Sequence, residues 1–215
     1  MPKVIAHMNE KGGAGKTTTV TNIASCLHLK YGKRVLIVDH DPQASSSKWA
    51  ALLPDTDAPG AISVVVMRDT LARDLPGISY SYDFVLIDGQ PITDKVTAAA
   101  VKSADLVIVP IQPSQYDIWA AAPTISVIKQ RQEIADGKPM ARLLISRAIV
   151  GTVIERAARQ ALEEYEIPIL KNQTHQRVAY IETVGQGHSV MNLPASDPAR
   201  IEIEAITAEI METLQ

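Results

Sequence analysis

Glu10-Lys11-Gly12-Gly13-Ala14-Gly15-Lys16-Thr17-Thr18 lies between an apolar run at residues 3–8 and a helical pattern at 17–31 that Gly32 closes. Strand, glycine-rich turn and helix, in that order, form the setting that a triphosphate-binding loop requires. Glycines let the backbone bend around phosphates so that successive N–H groups point inward, and the helix N-terminus adds partial positive charge. Lys16 is then expected to reach the β and γ phosphates, and the Thr17 hydroxyl to complete the shell of Mg²⁺. The strict spacing G-x-x-x-x-G-K-[ST] fails at its first position, where Glu10 replaces Gly, and a second lysine, Lys11, is gained. The dinucleotide pattern G-x-G-x-x-G also fails, because Thr18 occupies its last position after Gly13 and Gly15. A nucleoside triphosphate fits the loop better.

Outward from this loop the chain alternates short apolar runs with amphipathic stretches. Strands are expected at 34–39, 61–67, 82–88, 105–110, 141–146 and 167–170, and helices at 45–53, 96–103, 118–135, 153–165 and 199–214. Several runs are apolar throughout rather than alternating, as strands covered on both faces are. This predicts an α/β fold: a doubly wound, mostly parallel sheet with helices on both faces. No repeat or long polar linker interrupts it, so residues 1–215 are expected to form one P-loop domain.

Composition narrows the function classes. The 215 residues are 46% hydrophobic and 21% charged, with a net charge of −3. Such a charge gives no whole-protein attraction to nucleic acid, so any DNA binding requires a local basic patch. Aromatics at 4% are too few for a base-stacking platform. The single cysteine, Cys26, excludes internal disulfides and multi-cysteine metal ligation, and is expected to pack as a small hydrophobe. No apolar run reaches the roughly 20 residues of a membrane span, and Met1-Pro2-Lys3 does not open a signal peptide, so a cytoplasmic location is expected. The five histidines show no metal-ligand spacing; His40 is expected to face solvent, and Trp49 and Trp119 to pack on helices.

Acidic residues end two of the expected strands. Asp39 and Asp41 stand in Asp39-His40-Asp41-Pro42-Gln43, and Asp88 ends Phe84-Val85-Leu86-Ile87-Asp88. In an open parallel sheet such ends converge on the crevice beside the phosphate loop. One carboxylate near Mg²⁺ and another near the attacking water suit phosphoryl transfer, where positioning and charge neutralisation supply most of the rate. No asparagine begins an Asn-Lys-x-Asp guanine-reading element, which favours ATP over GTP.

With the Lys11 loop, the D-x-D-P-Q element and the apolar strand ending at Asp88, the sequence resembles the ParA/MinD deviant Walker ATPases over essentially its whole length. It is most similar to small plasmid-partition ParA proteins lacking an N-terminal DNA-binding domain. The resemblance implies Mg²⁺ and ATP as cofactors, bound by Gly12, Gly13, Ala14, Gly15, Lys16, Thr17 and Thr18. It implies that Lys11 crosses an ATP-dependent homodimer to the partner copy's nucleotide, that Asp41 orients the hydrolytic water, and that Thr17, Asp39 and Asp88 serve Mg²⁺. Residues 41–47 and 89–95 would be two switches, and Pro110 and Pro113 would lie near the adenine.

The same resemblance implies weak intrinsic hydrolysis, stimulated by a centromere-binding partner of the ParB or ParG kind. It also implies non-specific DNA binding by the ATP dimer, in association with the nucleoid. Among nine basic candidates between Lys129 and Arg177, Arg147 and Arg177 sit where family members place functional basic residues. Membrane binding of the MinD kind is not expected. The last helix sets Arg200 against Glu202, Glu204, Glu209 and Glu212, an acidic face that anionic lipid repels, and it should pack Ile201, Ile203, Ile206, Ile210 and Leu214 on the body. Two other readings stay open: a related ATPase that positions a microcompartment or conjugation complex, and a small-molecule ATP-dependent enzyme on the same fold.

Overall fold

The computed structural model describes residues 1–52, 62–90 and 94–215, with 94–97 described by backbone only. Six strands alternate with helices along the chain: β1 (Lys3–His7), α1 (Lys16–Leu29), β2 (Val35–Asp39), α2 (Ser45–Ala50), β3 (Ser63–Val66), α3 (Leu71–Ser79), β4 (Phe84–Asp88), α4 (Asp94–Ser103), β5 (Leu106–Ile111), α5 (Gln115–Ile134) and β6 (Met140–Ile145). After β6 come α6 (Val153–Glu163), α7 (Ala179–Gly185), a 3-10 turn (Val190–Asn192) and α8 (Pro198–Thr213). The strands form one parallel sheet in the order β3-β2-β4-β1-β5-β6.

Both faces of the sheet are covered, which explains the continuous apolar runs of β2 and β4. On one face, Ala6, Val38, Ile87 and Val109 pack against α3, α4, α5 and α6 through Leu71, Val101, Ile125 and Leu162. On the other, Ile5, Ile37, Leu86 and Ile108 meet α1 and α8 through Val20, Ile23, Leu27, Ile206 and Ile210. A third cluster joins Cys26 of α1 to Tyr180 of α7, Val190 and Met191 of the 3-10 turn, and Ile203 of α8. Cys26 is buried, as its neighbours in sequence predict.

The differences from the sequence reading have local causes. Helix α3 was hidden by Pro76-Gly77, which reads as a turn, and α7 by its short length. Helix α5 begins at Gln115 rather than 118, because the Ser114 side chain accepts the Asp117 amide and caps it. The strand expected at 167–170 is only an isolated bridge of Leu143 to Ile169, where Pro168 supplies no N–H to a ladder. Trp49 is buried and donates to His188 O, whereas Trp119 is exposed with its ring T-shaped to that of Tyr116, at 5.8 Å between centroids. His40 does not face solvent. It is fully buried and donates from Nδ1 to Met67 O at 2.6 Å, where the ends of the adjacent strands β2 and β3 lie side by side. The expected ends of helix 45–53 and strand 61–67, and part of the 89–95 switch, lie outside the described residues.

Helix α8 packs on the body of the protein as a fastener, and among the described residues no helix is long and apolar enough to cross a membrane. Ile203, Ile206, Ile210 and Leu214 are buried, while Ile201 stands exposed on the opposite face. Its carboxylates hold other segments of the chain. Glu204 pairs with Lys30 and Arg200, and Glu209 accepts the Lys171 and Asn172 amides at 2.7 and 3.1 Å. Glu202 accepts from His175 Nδ1 (2.7 Å), Arg177 Nε (2.7 Å), the His175 amide (3.1 Å) and the Tyr180 hydroxyl (3.1 Å). Burial disfavours its charge, but the hydrogen bonds from Arg177 and His175 outweigh that and hold its pKa below the ordinary value of 4.5.

Ile206→Ala should cost about 2–5 kcal/mol of unfolding free energy, read by urea denaturation, because it opens a cavity between α8 and the sheet. A depressed carboxyl stabilises fully above its unfolded pKa and loses that contribution as pH falls through the folded value. Glu202→Gln should therefore be clearly less stable than the wild type at pH 7, with the gap narrowing as pH is lowered below 4.5.

Candidate functional site

The loop after β1 is held from three sides. Asn9 is buried and donates from Nδ2 to Pro110 O at 2.7 Å, while its Oδ1 accepts the Lys11 amide at 3.0 Å. Ser146, just past β6, donates to Ala14 O at 2.7 Å, and Gln112 donates to Gly13 O at 2.9 Å. Gly13 and Gly15 have φ of 78° and 97°, which L side chains rarely adopt, so these positions demand glycine. With the carbonyls of Gly13 and Ala14 engaged by Gln112 and Ser146, just past β5 and β6, the chain enters α1 through Gly15. That helix start has no side-chain cap, so its first amides are open to an anion.

The two lysines behave differently. Lys16 is buried and donates from Nζ to Asn9 O (2.9 Å) and Lys11 O (3.1 Å). Burial pushes its pKa down, and the nearby charges of Asp88 and Asp41 oppose that shift. Lys11 is half-exposed, and its Nζ lies 2.8 Å from Asp117 Oδ2 on α5.

Sheet register brings the carboxylates together, for Asp39 and Asp88 are paired neighbours on β2 and β4, and His7 pairs with Asp88 from β1. Asp88 Oδ2 accepts Thr17 Oγ1–H at 2.8 Å and Ser46 Oγ–H at 2.6 Å, while its buried Oδ1 has no partner among the described residues. Burial raises the Asp88 pKa to about 6, and the charges of Asp39 and Asp41 add to the rise against the two hydroxyl bonds. His7 stays neutral, its pKa lowered by burial to about 3. Asp39 is wholly enclosed. Its Oδ2 accepts the Ser47 amide (2.8 Å) and hydroxyl (2.6 Å), its Oδ1 accepts the Asp41 amide (3.2 Å), and Arg68 donates to its carbonyl at 3.0 Å. Asp41 is half-buried, and its Oδ1 accepts the Gln43 amide at 2.8 Å in a tight turn that carries Ala44 at φ 52°.

A cleft of about 990 Å³ opens over these groups. The phosphate loop, with Gly12, Gly13, Gly15, Lys16, Thr17 and Thr18, lines it together with Asp41. Asp39 and Asp88 lie behind that surface, and Pro110 and Pro113 are not part of the lining. The far wall comes from two segments distant in sequence: Ser146, Arg147, Ile149 and Val150 after β6, and residues 174–178 with Tyr180 and Ile181. They are joined where Thr174 Oγ1 accepts the Arg147 amide at 3.1 Å and Thr174 O accepts the Ala148 amide at 2.9 Å. Arg147 and Arg177 therefore stand in the cleft wall, and the Arg177 guanidinium is already paired with Glu202 at 2.5 Å. Asn9, Ser46, Ser47, Arg68, Thr174 and Glu202 shape the site but carry no motif of their own.

Mg²⁺ with a nucleoside triphosphate fits these groups. Among the described residues no set of three His, Cys, Asp or Glu could hold a metal alone. Mg²⁺ commonly takes one or two protein oxygens and completes its shell with water and phosphate. A hydroxyl such as that of Thr17, backed by a buried carboxylate with an unpartnered oxygen, offers such a half-shell. The uncapped start of α1 and the buried Lys16 ammonium suit the phosphates.

Comparison with known proteins agrees with this geometry. A family model described as AAA domain matches residues 2–68 and 60–138. The maintenance of carboxysome distribution protein A of Halothiobacillus neapolitanus is 30% identical over 96% of this chain and 95% of its own. Protein ParA of Rhizobium radiobacter is 27% identical over 100% and 98%. In structure, a Cyanothece McdA variant in complex with ATP superposes with a TM-score of 0.79 over 99% of this chain and 96% of that one, at 17% identity, which shows the shared fold. Loop, strand-end carboxylates, sheet order and relatives together make this chain a member of the ParA/MinD family of deviant Walker positioning ATPases.

Proposed function

We propose that this chain is a Mg²⁺-dependent ATP hydrolase that works as a positioning switch for a protein cargo of the microcompartment kind. The observation that carries the reading is the Thr17 hydroxyl on a buried Asp88 whose second oxygen is unpartnered among the described residues, directly behind an uncapped glycine-led helix start. Mg²⁺ and ATP, when bound, supply the phosphoanhydride that water cleaves and the cation that offsets its charge. The chain's own residues do the rest. Lys16 turns from the carbonyls of Asn9 and Lys11 to hold the phosphate oxygens, Thr17 and Asp88 hold the metal, and Asp41 in the cleft orients the water. Asp39 keeps the 41–47 loop in place through Ser47.

Lys11 completes the switch by reaching the nucleotide of a second copy. A triphosphate concentrates about four negative charges, and a cation supplied in trans stabilises the transition state as an arginine finger does. Two copies can approach only when nucleotide offsets their lysines, and hydrolysis weakens the pair.

The cargo reading is supported by the similarity to the carboxysome-distribution relative, whose match spans nearly the whole of both chains. DNA segregation, with non-specific DNA and a centromere-binding protein as partners, is the second reading, favoured by the full-length match to Protein ParA. Arg147 and Arg177 border the cleft beside the phosphate loop, which favours contact with the nucleotide over contact with a DNA backbone. ATPase assays with DNA, a microcompartment adaptor or a centromere-binding protein separate the readings, the stimulating partner naming the cargo. Binding to a DNA backbone should also weaken steeply with salt.

Lys11→Ala should bind nucleotide yet remain monomeric at saturating Mg-ATP in light scattering; a normal ATP dimer would refute the sandwich. Asp41→Ala should retain the dimer and lose about 10²–10⁴-fold of hydrolysis in a phosphate-release assay.

A further inference from the structure

Residue 11 is clamped at three points before any nucleotide arrives. Its amide donates to Asn9 Oδ1 at 3.0 Å, its carbonyl accepts Lys16 Nζ at 3.1 Å, and its own Nζ lies 2.8 Å from Asp117 Oδ2. The Asp117 side chain is 6% exposed against 39% for Lys11, and its Oδ1 is buried with no partner among the described residues. Ser114, the cap of α5, donates its hydroxyl to the same Oδ2 and accepts the Asp117 amide at 3.2 Å, which fixes the carboxylate's place.

We propose that Asp117 is a positioning residue that holds Lys11 against its own chain, so that pairing of two copies demands ATP. This rests on the sandwich reading above and adds to it the group that restrains the lysine. The physical reason is the burial of Asp117. Removing the cation from a desolvated carboxylate leaves an uncompensated charge, so the pair resists parting until a stronger anion competes for the lysine. Two copies without nucleotide offer no such anion, and their lysines stay folded back. A triphosphate supplies it, and also draws Lys16 away from Lys11 O, which loosens the second of the three clamps. The bistable element is therefore the Lys11 side chain, biased toward Asp117 in the empty chain and toward phosphate in the pair. Once the phosphate has left, the unpaired Asp117 draws the lysine back.

The test uses the full chain with Asp117→Asn, which keeps an oxygen for Ser114 but removes the charge, and Asp117→Glu, which restores it. Two quantities are read: the rate at which the Lys11 amine is chemically labelled without nucleotide, by mass spectrometry, and the ATP concentration for half-maximal dimerisation, by light scattering. Asp117→Asn should label faster at Lys11 and dimerise at about 5-fold less ATP or lower, with Asp117→Glu returning toward wild type. A merely structural aspartate would lower the melting temperature without reducing the ATP requirement. Unchanged labelling, or an unshifted or raised ATP requirement beside a wild type that dimerises normally, overturns the proposal alone. A wild type that stays monomeric at saturating ATP overturns the sandwich reading, and the role of Asp117 with it.

Discussion

Two buried carboxylates side by side are the constraint on which the rest of the structure depends. Asp39 and Asp88 end adjacent strands in register, so the parallel sheet sets like charges against each other at its C-terminal edge. Such a pair is unfavourable in a low-dielectric setting unless donors surround it. Ser47 and the Asp41 amide saturate Asp39, whereas Thr17 and Ser46 reach only one oxygen of Asp88. The difference divides their roles. Asp39 organises the loop that follows β2, and Asp88 leaves one buried oxygen without a partner among the described residues.

The crowding at this edge also fixes the backbone. A Cβ on Gly89 would stand 2.6 Å from His7 O, so the chain leaving Asp88 can pass β1 only as glycine. On the other side of the cleft, the wall built from residues 174–181 has little core of its own and depends on Glu202 of α8. Helix α8 thus links the packing of the sheet to the shape of the cleft. Its acidic face, which in isolation reads as a solvated surface, works mainly through the partners it holds.

The phosphate loop, Asp39, Asp41 and Asp88 were legible because their meaning is local: glycine spacing, strand ends and short offsets follow the chain. The continuous apolar runs likewise announced a sheet buried on both sides. The α3 helix was not legible, because Pro76-Gly77 carries a turn signal that packing of Leu71 and Leu75 overrides. His40, Trp119 and Ile201 were misjudged for one reason. Exposure depends on which neighbour covers a side chain, and composition does not say.

By itself the sequence determined the alternation of the six sheet strands with most of their helices, the bend of the loop and the level at which the carboxylates end their strands, since dihedral preference and apolar periodicity act over a few residues. Only the tertiary structure decided that Asp117, 106 positions beyond Lys11, is that lysine's counter-ion. It also decided that Arg147 and Arg177 share a wall with the loop rather than a separate surface. Those pairings arise where β1 docks beside β5 and where residues 174–176 lie along the end of β6, and contacts across such distances are set by sheet order and packing.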